Sequence, residues 1–213
     1  MLFFISSVCA EDKNNNKIYF TLLEKALNSD KDLNFLALRL SYIDTDLFVP
    51  YGGDKKKLRK KVLNAFQKKK YKKVLKLAEK VFETDFVDMH THYMCMLASK
   101  KLEKSEKADF HEFIVTGLVD SITMGSNGKT PETAYNIITT REENFILTIL
   151  GFTTVRREEM RKDGHAYDKI FVKDTLQNKE QVVYFNKDIP NKWLNDKYSP
   201  NDEANTAEDT GKE

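Results

Sequence analysis

Cysteine is almost missing from this sequence. Cys9 and Cys95 are its only two in 213 residues. A disulfide-framework fold is therefore excluded, and if the first ten residues are removed Cys95 stands alone, with no intramolecular partner in any compartment. The fold has to stand on its core. Long apolar runs are missing too: none approaches the ~18 residues that a membrane span needs. An excess of one charge is missing as well. Its 35 basic and 33 acidic residues nearly cancel, so net charge names no partner. There is no nucleophile elbow, zinc-protease pattern or kinase motif. The stretch "GSNGKT" (125–130) ends like a phosphate-binding loop, but Gly125 and Gly128 have two residues between them where that motif has four. Pro131 follows in place of a long helix. It reads as a connection, and no cofactor is expected.

What is present suits a water-soluble chain of one or two compact domains. Hydrophobic residues make up 40% and charged residues 32%, and the mean hydropathy is −0.57. The opening "MLFFISSVCA" followed by "EDK" fits a small-x-small leader cleavage after Ala10, which predicts export. The run is short and has no Lys or Arg ahead of it. A buried N-terminal strand is the alternative, and a lipid anchor on Cys9 ranks below simple cleavage because Val8 is bulky.

Apolar spacing predicts helices through most of the first 124 residues. In "KIYFTLLEKAL", Ile18, Leu22, Leu23 and Ala26 share one face, and Leu33, Leu36, Leu40 and Ile43 follow at similar spacing. "DLFVPYGGD" is a loop. A helix–turn–helix follows, with Leu58, Val62, Ala65 and Phe66 on its first stripe and Val74, Leu75, Ala78, Val81 and Phe82 on its second. Asp54 is a fair N-cap for it. A second pair starts near Asp88 and carries Phe110, Ile114, Leu118 and Ile122 four apart. The two pairs repeat at about 34 residues, the tetratricopeptide period. The match is degenerate, with Met96 where a small residue is expected.

After Met124 the pattern changes. Thr130-Pro131-Glu132 can open one short helical turn. "AYNIITT" is strand-like, and "REENFILTILGF" is an amphipathic helix closed by Gly151. "TTVRREEM", "AYDKIFVKD" and "EQVVYFNKD" are β-rich, the last two joined as a hairpin. The expected fold is α+β, mainly α. Stacked tetratricopeptide-like α-hairpins (11–124) precede a small α+β unit with an antiparallel β-hairpin (125–193). An acidic, disordered tail (194–213) closes the chain.

Three groups of residues carry possible chemistry. "MHTHYMCM" (89–96) could be a soft-metal site. On a helix, however, His90 and His92 lie on nearly opposite faces, and only His92 and Cys95 could share one. Met89, Tyr93, Met96 and Leu97 form a packing stripe, with His111 the nearest further ligand type. Core packing is the reading adopted, and no metal is expected. From Lys55 to Lys80 thirteen Lys/Arg face a single acid, Glu79. Lys72, Lys76 and Lys80 form one stripe that could hold an anionic partner or be a solvated face. Lysine in place of arginine, and the expected export, argue against nucleic acid. In "GHAYDK", His165, Tyr167 and Asp168 are the densest reactive types of the second half, with Glu142 and Glu143 as further carboxylates. His165 and Asp168, three apart on a strand, point to opposite faces.

Several of these stretches together resemble an uncharacterised bacterial family, domain of unknown function 4919. They are "NFLALRLSY" with its "PYGG" loop, "HYMCMLA", "FHEFIVTGLVDSI…GSNGKTPETAY", "EENFILTILGF", "GHAYD" and "VVYF". The resemblance spans roughly residues 17–190, and the run from Phe110 to Tyr135 is its most specific part. It implies export in a bacterium of the Bacteroidetes type and a tetratricopeptide-like helical part. It implies no activity. His111, Asp120, Ser121 and Tyr135 fall on positions the family pattern favours.

The function expected is that of an exported, monomeric, non-enzymatic module that binds a protein or peptide on a helical-repeat surface. A hydrolase-type enzyme using His111 or His165 with Asp168, in a site between the helices and the second half, is the alternative. A structural cell-envelope component is a third.

Overall fold

A computed structural model describes residues 15–51 and 55–198. The expected leader, the Asp54 cap and the chain beyond Tyr198 lie outside the described residues. The order of elements is α1 (Asn15–Leu27), α2 (Phe35–Ser41), α3 (Lys55–Gln67), α4 (Tyr71–Phe82), α5 (Met89–Lys101) and α6 (Ser105–Thr123). Then come β1 (Tyr135–Asn136), α7 (Thr140–Ile149), β2 (Phe152–Lys162), β3 (His165–Asp174), β4 (Glu180–Asn186) and α8 (Asp188–Tyr198). The chain is mainly α with a mixed four-stranded sheet, as its periodicity predicts.

Helices α3 to α6 pack each on the next, and their joints have identifiable causes. Asp88 caps α5 by accepting from the Thr91 N–H at 3.0 Å. Asn34 caps α2 in the same way through the Ala37 N–H. Val62, Ala65, Val74, Ala78, Val81, Met94, Cys95 and Ala98 form one apolar cluster. The first five lie on the stripes that the spacing predicts, whereas Met94, Cys95 and Ala98 lie beside the expected stripe of Met89, Tyr93, Met96 and Leu97. In "MHTHYMCM" every residue except His90 is buried or half-buried. The segment is a packed helix, and burial drives the Cys95 thiol up to about 12.

The sheet runs β1-β4-β3-β2, with β1 parallel to β4 and the other pairs antiparallel. Asp163 and Gly164 both have positive φ, 51° and 83°, the conformation that a two-residue hairpin turn requires between β2 and β3. "AYNIITT" was expected as a strand throughout; only Tyr135–Asn136 pairs, because the chain turns at Thr139 into α7. The polar tail expected from residue 194 is corrected to the extent that α8 runs on to Tyr198.

The larger apolar cluster joins the two halves of the chain. Tyr19, Leu38, Tyr42, Ile114, Leu118 and Ile122 pack with Ile137, Ile138, Phe145, Ile170 and Phe185. Residue 124 therefore ends a helix but divides no core. The phase of α2 also differs from expectation, while in α1 Leu22, Leu23 and Ala26 face the core as expected and only Ile18 turns outward. Ile18, Leu36 and Leu40 are 62%, 46% and 37% exposed, whereas Tyr19, Leu38 and Arg39 are buried. The cause is Arg39, whose guanidinium donates to Glu142 Oε2 (2.9 Å), Ser121 Oγ (3.0 Å) and the Asn136 carbonyl (3.2 Å). These bonds set the rotation of a seven-residue helix.

Helix α6 meets α2 at Gly117, where an added Cβ would lie 2.2 Å from the Phe35 ring. Gly117→Val is expected to destabilise the protein by about 1–3 kcal/mol in denaturant titration, and adding Phe35→Ala should recover part of that loss. Equal stabilities would mean that the helices do not approach this closely.

Candidate functional site

Strand register builds the site. Asn186, the last residue of β4, pairs with Tyr167 on β3. Two residues further on, the chain reaches the level of His165, where Asp188 opens α8. Asp188 Oδ2 lies 2.6 Å from His165 Nδ1. Its carboxylate is held by the Ala166 N–H (2.8 Å) and the Asn186 amide (3.1 Å). Burial alone would lift the Asp188 carboxyl, but these donors and His165 outweigh it and hold it below its ordinary range.

His165 lines an open polar cleft of about 390 Å³ with Ser126, Glu132, Asn136, Lys162, Tyr167 and Asn186. Lys162 and Glu132 form an ion pair in its lining. With Nδ1 engaged by a carboxylate, Nε2 is the ring nitrogen left to act, as acceptor, donor or base. The side chain of His165 is 56% exposed, so a ligand can reach it. The cleft draws on the "GSNGKTPETAY" and "GHAYD" stretches, which lie some thirty residues apart in sequence.

Of the residues singled out from sequence, His165 and Tyr167 come together in this cleft. Asp168 does not join them. It points to the other face of β3, where its carboxylate meets Arg157 at 3.1 Å and Lys187 at 2.9 Å. A site pairing His165 with Asp168 is thus overturned by strand alternation. Tyr135 is buried against the Phe185 ring, outside the cleft lining. His111 lies within the helical stack, 2.9 Å from His92 through their Nδ1 atoms, so it cannot partner Asp168 either. Lys72, Lys76 and Lys80 are exposed on α4, away from the cleft.

Sequence reading missed three things. Asp188 gave no signal, because its meeting with His165 depends on where β4 ends. The His92–His111 contact needed the relative rotation of α5 and α6. His92 donates through Nε2 to the Phe86 carbonyl at 2.8 Å, which leaves its Nδ1 to accept from His111. Burial and then His111 hold His92 well below its usual range, and burial, then Lys107, pushes His111 down to about 4. Third, the three residues of "REE" diverge to three separate partners, two of them buried and one, Arg157, exposed. Arg141 reaches Asp85 at 2.9 Å, Glu142 reaches Arg39, and Glu143 meets Arg157.

Among the described residues no group of three or more His, Cys, Asp or Glu could hold a metal ion. Glu143 is fully buried, and burial, then the neighbouring Asp168, drives its carboxyl up to about 8.

The buried acid and the buried imidazoles give opposite pH slopes. Glu143 binds its proton more tightly when folded, so its contribution is full below about 4.5 and is lost as pH rises through about 8. His111 binds its proton less tightly when folded, so its contribution is full above about 6.5 and is lost as pH falls through about 4. Melting temperature should therefore pass through a maximum between these limits. Glu143→Gln, which mimics the protonated acid, should flatten the alkaline side by a few kcal/mol at pH 8. An unchanged alkaline limb would contradict the protonated state of Glu143.

No helix among the described residues is long and apolar enough to cross a membrane. A search of curated proteins and a search of solved structures each returned no match. The family model described as "Domain of unknown function (DUF4919)" matches residues 7–197. That range holds every helix of the stack and both stretches that line the cleft, except the final residue of α8, and the chain belongs to this family.

Proposed function

We propose that this protein is an exported, non-enzymatic binding module that seats a short peptide segment in the cleft beside His165. The observation that carries this reading is the composition of the cleft: an oriented imidazole, a Lys162–Glu132 pair and the amides of Asn136 and Asn186. Together these supply both donors and acceptors, which suits the paired N–H and C=O groups of a peptide. The tetratricopeptide-like stack of α3–α6 is the scaffold in this reading. It holds the cleft rigid through the shared core, and the protein acts as a monomer. Export rests on the leader-like "MLFFISSVCA" and on what the family resemblance implies.

A second reading is favoured by one feature. A carboxylate oriented at His165 Nδ1 is also the arrangement of a general base. In that case the protein is a hydrolase in which His165 activates a nucleophile, and Asp188, not Asp168, is the orienting acid.

The two readings part in one set of measurements. Heptapeptides selected by display on the whole protein should bind it, and His165→Ala should weaken them at least about tenfold without changing the melting temperature. If the selected peptides bind His165→Ala as well as the parent, the cleft is not the seat. Turnover of p-nitrophenyl acetate by the parent that vanishes in both His165→Ala and Asp188→Asn would replace binding with hydrolysis.

A further inference from the structure

The α3–α4 hairpin concentrates charge to a degree that nothing in the fold requires. Residues 55–80 hold thirteen of the 35 basic residues and one of the 33 acidic ones, which leaves 22 basic against 32 acidic in the rest of the chain. A nearly neutral protein is thus strongly polarised. Two of the thirteen turn inward. Lys55 donates to the Leu47 and Thr84 carbonyls, and Arg59 pairs with Asp85 and Asp88. The other eleven are all exposed lysines, and none has a carboxylate partner among the described residues.

Their placement is regular. At 100° per residue, Lys56, Lys57 and Lys60 lie on the side of α3 away from the buried Val62 and Ala65, and Lys61 lies on its flank, one turn before Ala65. Lys72, Lys73, Lys76 and Lys80 lie opposite the buried Val74, Ala78 and Val81 on α4. Lys68, Lys69 and Lys70 form the turn between the helices. Phe66 and Tyr71 flank that turn with their rings 6.1 Å apart, each half-buried. The result is a cationic surface carried by two helices, with an aromatic pair at their turn.

We infer that this face is a docking surface for an anionic phospholipid membrane, which holds the protein peripherally. Three observations favour a membrane over a soluble polyanion. The eleven exposed lysines are spread over two helices and the turn between them, which matches an extended surface. Its cations are lysines, which attract anionic headgroups as a diffuse field and lack the planar fork that grips individual phosphates. The turn carries a half-buried aromatic pair, packed on the helical core and partly open beside the lysines, a composition found at membrane interfaces. The polarity of the molecule adds orientation, because the acidic excess lies outside the docked hairpin. The face shares no residue with the His165 cleft, so this inference stands whether or not that cleft binds a peptide.

Vesicle co-sedimentation of the whole protein tests it. Vesicles with about 30% phosphatidylglycerol in phosphatidylcholine should sediment the protein at low salt. Pure phosphatidylcholine should not, and about 0.5 M NaCl should release it. Lys72/Lys76/Lys80→Gln should cut the affinity on the order of a hundredfold with an unchanged melting temperature, since each lysine near such a surface counts for roughly a factor of five. Lys100/Lys101/Lys104→Gln, an equal charge change on another helix turn, should cut it far less. Four results overturn the inference: equal binding to neutral vesicles, no binding at low salt, no loss in the α4 variant, or equal loss in both variants. Binding to inorganic polyphosphate without binding to vesicles also overturns it, as does salt-sensitive self-association alone.

Discussion

The first turn of α7 is the constraint on which the two halves of this protein depend. Three consecutive polar side chains leave it in three directions. Arg141 and Glu142 meet opposite charges taken out of water. Glu143, buried and protonated at neutral pH, meets the exposed Arg157. Arg141 joins Arg59 in holding Asp85 and Asp88 at the α4–α5 corner. Burial alone would lift Asp88, but Arg141, Arg59 and the Thr91 N–H outweigh it and keep the carboxyl low. Glu142 takes Arg39 of α2 and also accepts the Ile138 N–H at 2.8 Å. Glu143 reaches Arg157 on β2 beside Asp168 on β3. A buried pair of this kind adds little net stability compared with apolar packing, but removing one partner costs about 3–5 kcal/mol. Its value is in fixing how elements are placed relative to one another.

That placement produces the cleft. Arg157 and Lys187 pin the core face of the sheet through Asp168. The opposite face of the same strand then presents His165 to solvent, with Tyr167 buried beside it in the cleft lining. A strand has two faces, and here one is spent on structure and the other left for a ligand. The motif "GHAYD" therefore serves two roles in five residues, with Asp168 anchoring the strand and His165 facing the cleft.

How much of this could be read from the sequence depended on the kind of signal. Apolar periodicity located α3, α4, α5 and α6 and their buried stripes, because a helix that packs on neighbours on one side must repeat at 3.6 residues. The same reading misplaced the face of α2, since it counted Leu36 and Leu40 as inside and gave Arg39 no part in the core. A buried arginine contradicts the usual rule for charge, and only its partner about a hundred residues away, Glu142, explains it. Alternation along β3 correctly separated His165 from Asp168. It could not supply Asp188, which comes from strand length and register. "MHTHYMCM" was legible as packing, but the His92–His111 contact was not, because it depends on how two helices are rotated against each other. The lysine concentration was visible as a count. That eleven of those lysines face outward, without carboxylate partners among the described residues, while Lys55 and Arg59 turn in is a property of the fold.

The central claim is that buried ion pairs at the start of α7 make the helical stack and the sheet one cooperative unit. Equilibrium denaturation followed in parallel by far-UV ellipticity and by the fluorescence of Trp193, the single tryptophan, tests it directly. The two signals should trace one coincident transition, and Glu142→Ala, which leaves Arg39 buried without its carboxylate, should lower stability by about 3–5 kcal/mol. Two separated transitions in the parent protein, or a loss below about 1 kcal/mol in the variant, would contradict the account.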